Sequence, residues 1–385
     1  MTPRISIICI WICFILLLVF GVIMVASTGT CVPGQEKLVW YKTFLGKQCI
    51  FALAGLALAL ILSRIDYHYW RRVVYWIWII CVALLVCCYL PGIGKNINGE
   101  SRWINLGFLA FQPSELAKIS LMLALAHWYT THREVAGTFW KGFFIPGALI
   151  FGFPIVLILF EKDMGTAAAL AMSGFCVMYT AGTRTWLMLL SMLVGGIFLY
   201  IMMTDSANRM MRIEAWFDPR AFSQGAGRQQ WIAILAFARG GLAGVGLGDG
   251  IEKYGNLPYA HTDFIFAEVG EEWGFIGAAG VVILFTLMAF SGIALAVQTH
   301  DTFGRILALG LTCTIFWPAM LNIFVVTALL PNTGLPLPFI SSGGTNLVFT
   351  IASIGILTSI QRYTPIIRQN YWPARRLQEI EQQKS

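Results

Sequence analysis

Residues 256–274 carry the side chains best suited to chemistry, because a polar loop gives way there to an apolar helix. Asp263 stands among aromatic residues at that boundary, which would hold a carboxylate at the interface between water and lipid. Its alternative roles are a helix N-cap or a structural ion pair. His261 is either a general acid or base or a hydrogen-bonding residue. Three carboxylates follow, Glu268, Glu271 and Glu272. They are either charges on a helix face or partners in ion pairs.

A second polar group opens a predicted span. Pro113 suits the first turn of a helix, because its missing N–H would be unpaired there in any case. Glu115 and Lys118 are three residues apart, so they share a helix face and can pair. Charges inside a span are costly, and the pair should therefore face the bundle interior or a wet cavity. It either locks helices together or lines a cavity in which Lys118 meets an anionic ligand.

Two further polar segments interrupt the apolar pattern. The Glu-Lys-Asp turn at 161–163 is interpreted as structural. Residues 331–346 contain too much Pro and Gly to be helical throughout, and irregular backbone near a membrane must line protein or water. This segment is either a re-entrant break without a ligand or a source of N–H and O–H donors to a phosphate. The candidate donors are Ser341, Ser342, Gly343 and Gly344.

The composition predicts that these residues are carried by a membrane protein. Of the 385 residues 58% are hydrophobic and only 12% are charged, with a mean hydropathy of +0.73. That is more apolar material than a soluble surface could hide. The net charge of +7 must first be sorted by membrane side, so nucleic acid is not implied as a partner.

Apolar runs recur often enough to predict an all-α polytopic protein of about ten transmembrane helices. The first run follows Arg4 and is longer than the apolar core of a signal peptide, so it is interpreted as an uncleaved helix. Ten spans place both termini on one side of the membrane. The runs cover residues 5–26, 44–63, 73–90, 114–130, 143–160, 164–181, 186–203, 275–297, 306–330 and 346–361.

The basic residues predict which side is cytoplasmic. Thirteen Lys and Arg lie on the side of the termini, against six in the short connections opposite, so both termini should be cytoplasmic. The connections 92–112, 204–274 and 331–345 then face outward. Residues 204–274 form a large outer loop between the seventh and eighth helices. The prediction is one transmembrane domain over 1–361 and a polar cytoplasmic tail over 362–385.

Four motifs occur in this order on the predicted outer side: NGESRWI, FQPSELAK, HTDFIFAEVGEEWGFIG and GLPLPFISSGGTN. Together they resemble the FtsW/RodA/SpoVE (SEDS) family of peptidoglycan polymerases over about residues 20–361. The glycine-rich stretch at 244–250, followed by NLPYAHTDF, looks more like the division branch, FtsW, than like RodA. The chain departs from the family pattern at Ser342, at Arg228 and at residues 161–163, which bears on the branch and on substrate detail.

The resemblance implies an enzyme that polymerises lipid II into β-1,4 glycan strands on the outer face of the bacterial cytoplasmic membrane. The family's essential aspartate matches Asp263, and its cavity positions match Arg102, Glu115 and Lys118. The resemblance also implies a class B penicillin-binding protein (a transpeptidase) and other divisome proteins as partners, with the division septum as the location. Further substrate-binding candidates at the same end are His261, Ser341, Ser342, Gly343 and Gly344.

The implied reaction suits these residue types. Joining a sugar diphosphate to a sugar 4-OH with inversion needs a base for the hydroxyl and positive charge for the diphosphate, which leaves as a stable anion without protonation. One carboxylate, Asp263, is therefore enough as general base, unlike the two-carboxylate pattern of glycoside hydrolases. Arg102 and Lys118 could stabilise undecaprenyl diphosphate as it departs, and a divalent cation (Mg or Mn) held by Asp263 or a nearby Glu could share that role.

Two other classes of function remain open on the sequence. A lipid II flippase would need polar residues running through the bundle, whereas the candidates here cluster on one side. A non-catalytic scaffold for a transpeptidase would leave Asp263 replaceable.

Overall fold

The chain folds into a bundle of long helices. The computed structural model describes residues 2–29, 38–90, 94–97, 100–105, 110–204, 207–254, 257 and 260–364. The helices are α1 Pro3–Gly29, α2 Phe44–Leu62, α3 Trp70–Cys87, α4 Pro113–Thr131, α5 Phe153–Phe160, α6 Met164–Thr180, α7 Thr185–Thr204, α8 Ala207–Phe217, α9 Arg228–Gly240, α10 Ile265–Gln298, α11 Thr302–Val326 and α12 Gly344–Tyr363.

The all-α membrane fold predicted from the sequence is confirmed, and each of the ten predicted runs lies on a helix. Seven helical stretches are long and apolar enough to cross a membrane, and α6 and the described part of α7 are shorter apolar helices. The remaining run, residues 114–130, corresponds to α4, which carries Glu115 and Lys118 in its first two turns. Helices satisfy every backbone hydrogen bond internally, which hydrocarbon requires. The protein is an integral membrane protein.

Irregular stretches modify two of these helices. A π-helical segment, Trp140–Gly152, contains Pro146 and runs directly into α5. Helix α10 begins ten residues before the predicted span and is broken at Gly274, which has φ 65° and ψ −164°. The predicted span at 275–297 is therefore the part of α10 after the break, and the first part, up to Trp273, belongs to the predicted outer loop.

The predicted 204–274 loop is more regular than the sequence indicated. It contains α8, α9 and the first part of α10. The 92–112 connection also has regular structure, because β1 Gly94–Ile97, β2 Glu100–Asn105 and β3 Ala110–Phe111 form an antiparallel sheet in the order β1-β2-β3. Beyond Thr364, the predicted tail lies outside the described residues.

The core of the bundle is formed by α11 and α12. About 72% of the membrane-spanning part of α11 and 67% of that of α12 is buried. The corresponding share is 17% for α3, which lies at the periphery. Helix α1 packs chiefly on α10, and α2 packs on α12. Gly21 allows α1 to approach residues 339–340, because a Cβ there would lie 2.5 Å from the Phe339 carbonyl oxygen. This contact fixes residues 339–340, in the last part of the connection into α12.

Candidate functional site

Asp263 lies in the turn that leads into α10. Phe264 is the N-cap residue of that helix and makes no side-chain cap, so Asp263 stands one residue before the cap position. Its side chain is half-buried and faces the connection between α11 and α12. A Cβ built on Gly334 of that connection would lie 3.4 Å from Asp263 Oδ2. Gly334 has φ +69°, a conformation that favours glycine, so the backbone can approach the carboxylate closely.

The two segments that the sequence singled out most strongly are joined by hydrogen bonds. The Ser341 hydroxyl donates to the Thr262 carbonyl at 2.6 Å and accepts from the Leu337 N–H at 2.8 Å. The Ser342 N–H donates to the His261 carbonyl at 3.0 Å. Both serines therefore hold backbone around Asp263, and the structure brings residues 261–263 and 331–343 together.

His261 points its ring towards α2. The ring lies against Phe44, with centroids 4.0 Å apart and planes tilted by 34°. Burial lowers the pKa of His261 below its ordinary value, which favours the neutral imidazole near pH 7. In a neutral imidazole one ring nitrogen donates a hydrogen bond and the other accepts one.

The connection between α11 and α12 is held rigidly from several sides. Phe339 has φ 64°, which is uncommon for a bulky residue, and it is buried. Its ring contacts Phe14 of α1 at 5.2 Å and Phe285 of α10 at 6.3 Å. Gln48 of α2 donates to the Ser341 carbonyl at 3.4 Å. Packing from three helices therefore stabilises a backbone conformation that would be costly alone.

Glu115 and Lys118 form the predicted ion pair. Lys118 Nζ lies 3.0 and 2.8 Å from the two carboxylate oxygens of Glu115, and both side chains are buried. Asn346, at the start of α12, donates to Glu115 Oε1 at 3.4 Å. A small cavity beside the pair is lined in part by Thr314, Thr350 and Ser353. The pair thus faces the bundle interior, as its cost in lipid requires.

Arg102 is placed by the sheet over the turn between α5 and α6. Its Nη2 donates to the Lys162 carbonyl at 2.5 Å, and its Nε donates to the Glu161 carbonyl at 3.4 Å. Asp163 accepts from the Thr166 N–H at 3.1 Å as the N-cap of α6. This turn has the structural role that the sequence predicted. It also places the Arg102 guanidinium at the same end of the bundle.

Glu161 is the unusual member of that turn. It is 1% exposed, and both of its carboxylate oxygens lack a hydrogen-bond partner among the described residues. Burial, and to a lesser extent the Asp163 charge, raises the pKa of Glu161 to about 9, against smaller opposing effects of the neighbouring Cys88 thiol and of the Arg102 charge. The carboxyl is therefore neutral near pH 7.

Residues 331–343 connect these groups. Gly165, in the first turn of α6, packs on Leu335, where an added Cβ would lie 2.7 Å from Leu335 Cδ1. The same segment contacts Asp263 and leads into the helix of Asn346, which reaches Glu115. The segment thus contacts Asp263 directly, packs on the helix that follows the Arg102-bound turn, and leads to the helix that bonds the partner of Lys118. A carboxylate can accept a proton and cations can stabilise an anion.

A divalent cation at Asp263 or a nearby Glu was predicted from the sequence. No group of three or more His, Cys, Asp or Glu side chains that could hold a metal ion occurs within the described ranges. The predicted metal stays a prediction.

An apolar cavity of about 480 Å³ lies between α9, α10 and α11. Phe266, three residues after Asp263, forms part of its wall. Other lining residues are Phe237, Phe275, Ala279, Val282 and Ile323. The cavity has the chemistry of a site for a hydrocarbon chain.

The three glutamates of α10 have different environments. Glu272 pairs with Lys253 at 2.5 Å, and both groups bond to Ser27 of α1. Glu271 accepts from the backbone N–H groups of 251 and 252, at 3.0 and 3.2 Å. Glu268 is fully buried, and neither of its oxygens has a hydrogen-bond partner among the described residues. Glu271 and Glu272 therefore act as pair partners that hold the predicted outer loop on the bundle.

One residue that contacts the site was not predicted. Asn322, in α11, donates hydrogen bonds to the backbone beside Asp263. A lone Asn in an apolar span is the only signal that its sequence position offers, because polar groups within spans are expensive and tend to face the bundle interior.

The fold and the site define a polytopic membrane protein in which polar residues gather at one end of the bundle around Asp263. The profile of the FtsW/RodA/SpoVE family, described as cell cycle protein, matches residues 7–366. The chain belongs to this family, as its motifs predict.

Relatives match over nearly the whole chain. A probable peptidoglycan glycosyltransferase FtsW of Trichlorobacter lovleyi is 38% identical over 89% of both chains. The stage V sporulation protein E of Bacillus subtilis is 33% identical over 91% of this chain and 95% of its own.

Two solved structures share the fold. A chain from a study of the structural coordination of polymerization and crosslinking by a peptidoglycan synthase complex is 27% identical, with a TM-score of 0.71 over 90% of this chain and 96% of that one. The rod shape determining protein RodA of Thermus thermophilus is 25% identical, with a TM-score of 0.67 over 92% and 96%.

Proposed function

We propose that this protein is a peptidoglycan glycosyltransferase that polymerises lipid II into β-1,4 glycan strands. Family membership and relatives named as peptidoglycan glycosyltransferases support the activity. The observation that carries the assignment of the site is the Asp263 carboxylate, which faces Gly334 in a turn tied to residues 331–343.

In the proposed reaction, Asp263 is the general base. It accepts the proton of the acceptor sugar 4-OH as the hydroxyl oxygen bonds to C1 of the donor sugar. The bond from C1 to the diphosphate oxygen breaks on the opposite face, and its electron pair leaves with undecaprenyl diphosphate. The anomeric configuration inverts, and the diphosphate needs no acid because it is a stable anion.

The cationic residues have different parts in this scheme. Arg102 is held at the site end of the bundle by two carbonyl groups, which orients its guanidinium towards a fixed position. Lys118 gives two hydrogen bonds to Glu115 and is buried, so it acts as the deeper of the two charges. Both would stabilise the departing diphosphate. His261, Ser341, Ser342, Gly343 and Gly344 would shape the substrate cleft.

The long polyprenyl tail of the substrate fits the apolar cavity between α9, α10 and α11. Phe266 in its wall is three residues from Asp263, so a tail lying there would keep the diphosphate close to the carboxylate. The charge distribution of the loops supports cytoplasmic termini and a site at the outer face of the cytoplasmic membrane. Relatives named FtsW support a role at the division septum.

A transpeptidase is the proposed protein partner. One structural neighbour belongs to a peptidoglycan synthase complex that couples polymerization with crosslinking. A class B penicillin-binding protein, with other divisome proteins, would supply that second activity to this chain.

The test is polymerisation by the purified protein together with its transpeptidase partner. Fluorescent lipid II is incubated with proteoliposomes, and glycan strands are resolved on a gel. Asp263→Asn should lower the rate by about 10²–10⁴-fold, the usual contribution of a general base. Asp249→Asn is the matched control, because Asp249 is an exposed carboxylate in the same 204–274 region.

Each outcome decides one assignment. Full activity of a folded Asp263→Asn protein would remove Asp263 as the base. Transfer of lipid II across the bilayer without polymer would favour a flippase, and crosslinking support without either activity would favour a scaffold. Assays with EDTA, followed by added Mg²⁺ or Mn²⁺, test the predicted divalent cation.

A further inference from the structure

Asn322 connects two backbone segments that are distant in sequence. It lies in the last part of α11 and is 1% exposed. Its Nδ2 donates to the Asp263 carbonyl at 2.7 Å and to the Leu335 carbonyl at 2.6 Å. A side-chain amide has two N–H donors, and two acceptors at these distances match both of them.

The two carbonyl groups belong to the two segments that meet at Asp263. One belongs to Asp263 itself, and the other follows Gly334, whose Cβ position would lie 3.4 Å from Asp263 Oδ2. The amide therefore sets the separation between the carboxylate and the backbone that faces it. Asn322 belongs to α11, and about 72% of the spanning part of that helix is buried, so the bridge is anchored in the core of the bundle.

We propose that Asn322 is the positioning residue for Asp263. It holds the backbone of residue 263 and the Gly334–Leu335 backbone together, so that the carboxylate meets the acceptor hydroxyl in a reactive geometry. The inference rests on the proposed function, because it gives Asn322 a role only through the reaction at Asp263. Small errors of placement reduce rates strongly, whereas they change substrate binding little.

A second amide in the fold supplies a matched control. Gln230 of α9 is 2% exposed, and its Nε2 donates to the carbonyls of Val325 and Leu330, at 3.1 and 2.7 Å. The chemistry is the same: one buried amide bridges α11 to the start of the connection after it. Gln230 makes neither of the two contacts that Asn322 makes beside Asp263. Its removal tests what the loss of a buried bridge does by itself.

The decisive variant is Asn322→Asp, which keeps the size of the side chain and removes the amide donors. We expect kcat for polymerisation to fall about 10–100-fold, with KM for lipid II within about 3-fold of the native value. Gln230→Glu, the equivalent change, should leave kcat within about 3-fold. Asn322→Ser retains one donor and should fall between the native protein and Asn322→Asp.

Hydrogen exchange gives a readout that does not depend on activity. Asn322→Asp should speed exchange of backbone N–H groups around residues 260–266, and Gln230→Glu should not. Equal loss of kcat in both variants, or native kcat and exchange in Asn322→Asp, would overturn the positioning role. Failure of the proposed function is recognised separately, by either of two results. One is native activity of Asp263→Asn. The other is that the native protein makes no polymer, while hydrogen exchange in Asn322→Asp changes as expected.

Discussion

Lys118 donates two hydrogen bonds to the carboxylate of Glu115, one helical turn before it, and both residues are buried. The pair lies within the first two turns of α4 and is held on its other side by Asn346. Removal of one partner would leave an uncompensated buried charge, whereas removal of both would not.

We therefore expect Lys118→Met to lower the free energy of unfolding by about 3–5 kcal/mol. The double variant Glu115→Gln, Lys118→Met should recover most of that loss. Denaturant titration in detergent measures both effects. The double variant also separates the two predicted roles: recovery of stability without recovery of polymerisation indicates that Lys118 serves the substrate, and recovery of both indicates a helix-locking pair.

Gly21→Ala should destabilise the connection into α12. The new Cβ would meet the Phe339 carbonyl oxygen at 2.5 Å and Ile340 Cα at 2.6 Å, both of which are backbone atoms that cannot rotate away. We expect a loss of about 1–3 kcal/mol, typical of overpacking, and slower polymerisation because residues 339–340 lead to Ser341.

Gly196→Ala is the control for that substitution. No described atom lies within 4 Å of its added Cβ, and the residue belongs to helix α7. Alanine is favoured over glycine in a helix by about 1 kcal/mol, so the thermal midpoint should stay or rise. A loss similar to that of Gly21→Ala would contradict the close-approach explanation.

Glu161 should make the protein less stable as the pH rises. Its pKa is raised to about 9 by burial, so the folded state keeps a proton that the unfolded chain loses above its ordinary value near 4.5. The contribution of Glu161 to the free energy of unfolding is therefore complete below about pH 4.5. It is lost progressively as the pH rises to about 9.

Glu161→Gln should remove that dependence. The amide keeps the neutral shape of the protonated carboxyl, so the variant should match the native protein near pH 5 and exceed it near pH 8. Thermal midpoints across this range measure the difference. An unchanged slope in the variant would show that Glu161 is ionised in the folded state.

Ala279→Phe should fill part of the apolar cavity between α9, α10 and α11. If the cavity holds the polyprenyl tail, KM should rise for lipid II with its natural tail and change little for a short-tailed analogue. Leu287→Phe, at an exposed position further along α10, is the control for added bulk. Equal effects on long-tailed and short-tailed substrates would argue against this location for the tail.

The helices could be predicted well because each must satisfy its own hydrogen bonds in hydrocarbon and must therefore be a long apolar run. The pairing of Glu115 with Lys118 followed from their spacing. The sheet at residues 94–111 was harder to foresee, since its strands are short and carry no long alternating pattern. The Asn-Gly dipeptide at 98–99, which lies outside the described residues, is the turn signal that favours a hairpin.

The start of α10 shows a different limit. Glu268, Glu271 and Glu272 make its first turns look like a polar loop, although all three are buried, and Glu271 and Glu272 bond partners that are 19 or more residues away in the chain. Asn322 is harder still, because its role depends on two carbonyl groups that the backbone supplies from other segments. Side-chain patterns do not reveal where a carbonyl will lie. The motif residues could therefore be predicted from the sequence, whereas the contacts that hold them in place could not.

The joint between Ser27 and the Lys253–Glu272 pair has a consequence for biogenesis. Ser27 belongs to α1, and Glu272 follows it by 245 residues. At ~5–20 residues per second, α1 must wait roughly 10–50 s in the membrane before its partner on α10 is made. Helix α2 waits longer still, because its partner α12 begins only at Gly344. The bundle is thus closed by helices that are synthesised long after α1 and α2, and a nascent chain needs shelter for these two helices until α10 and α12 have been made.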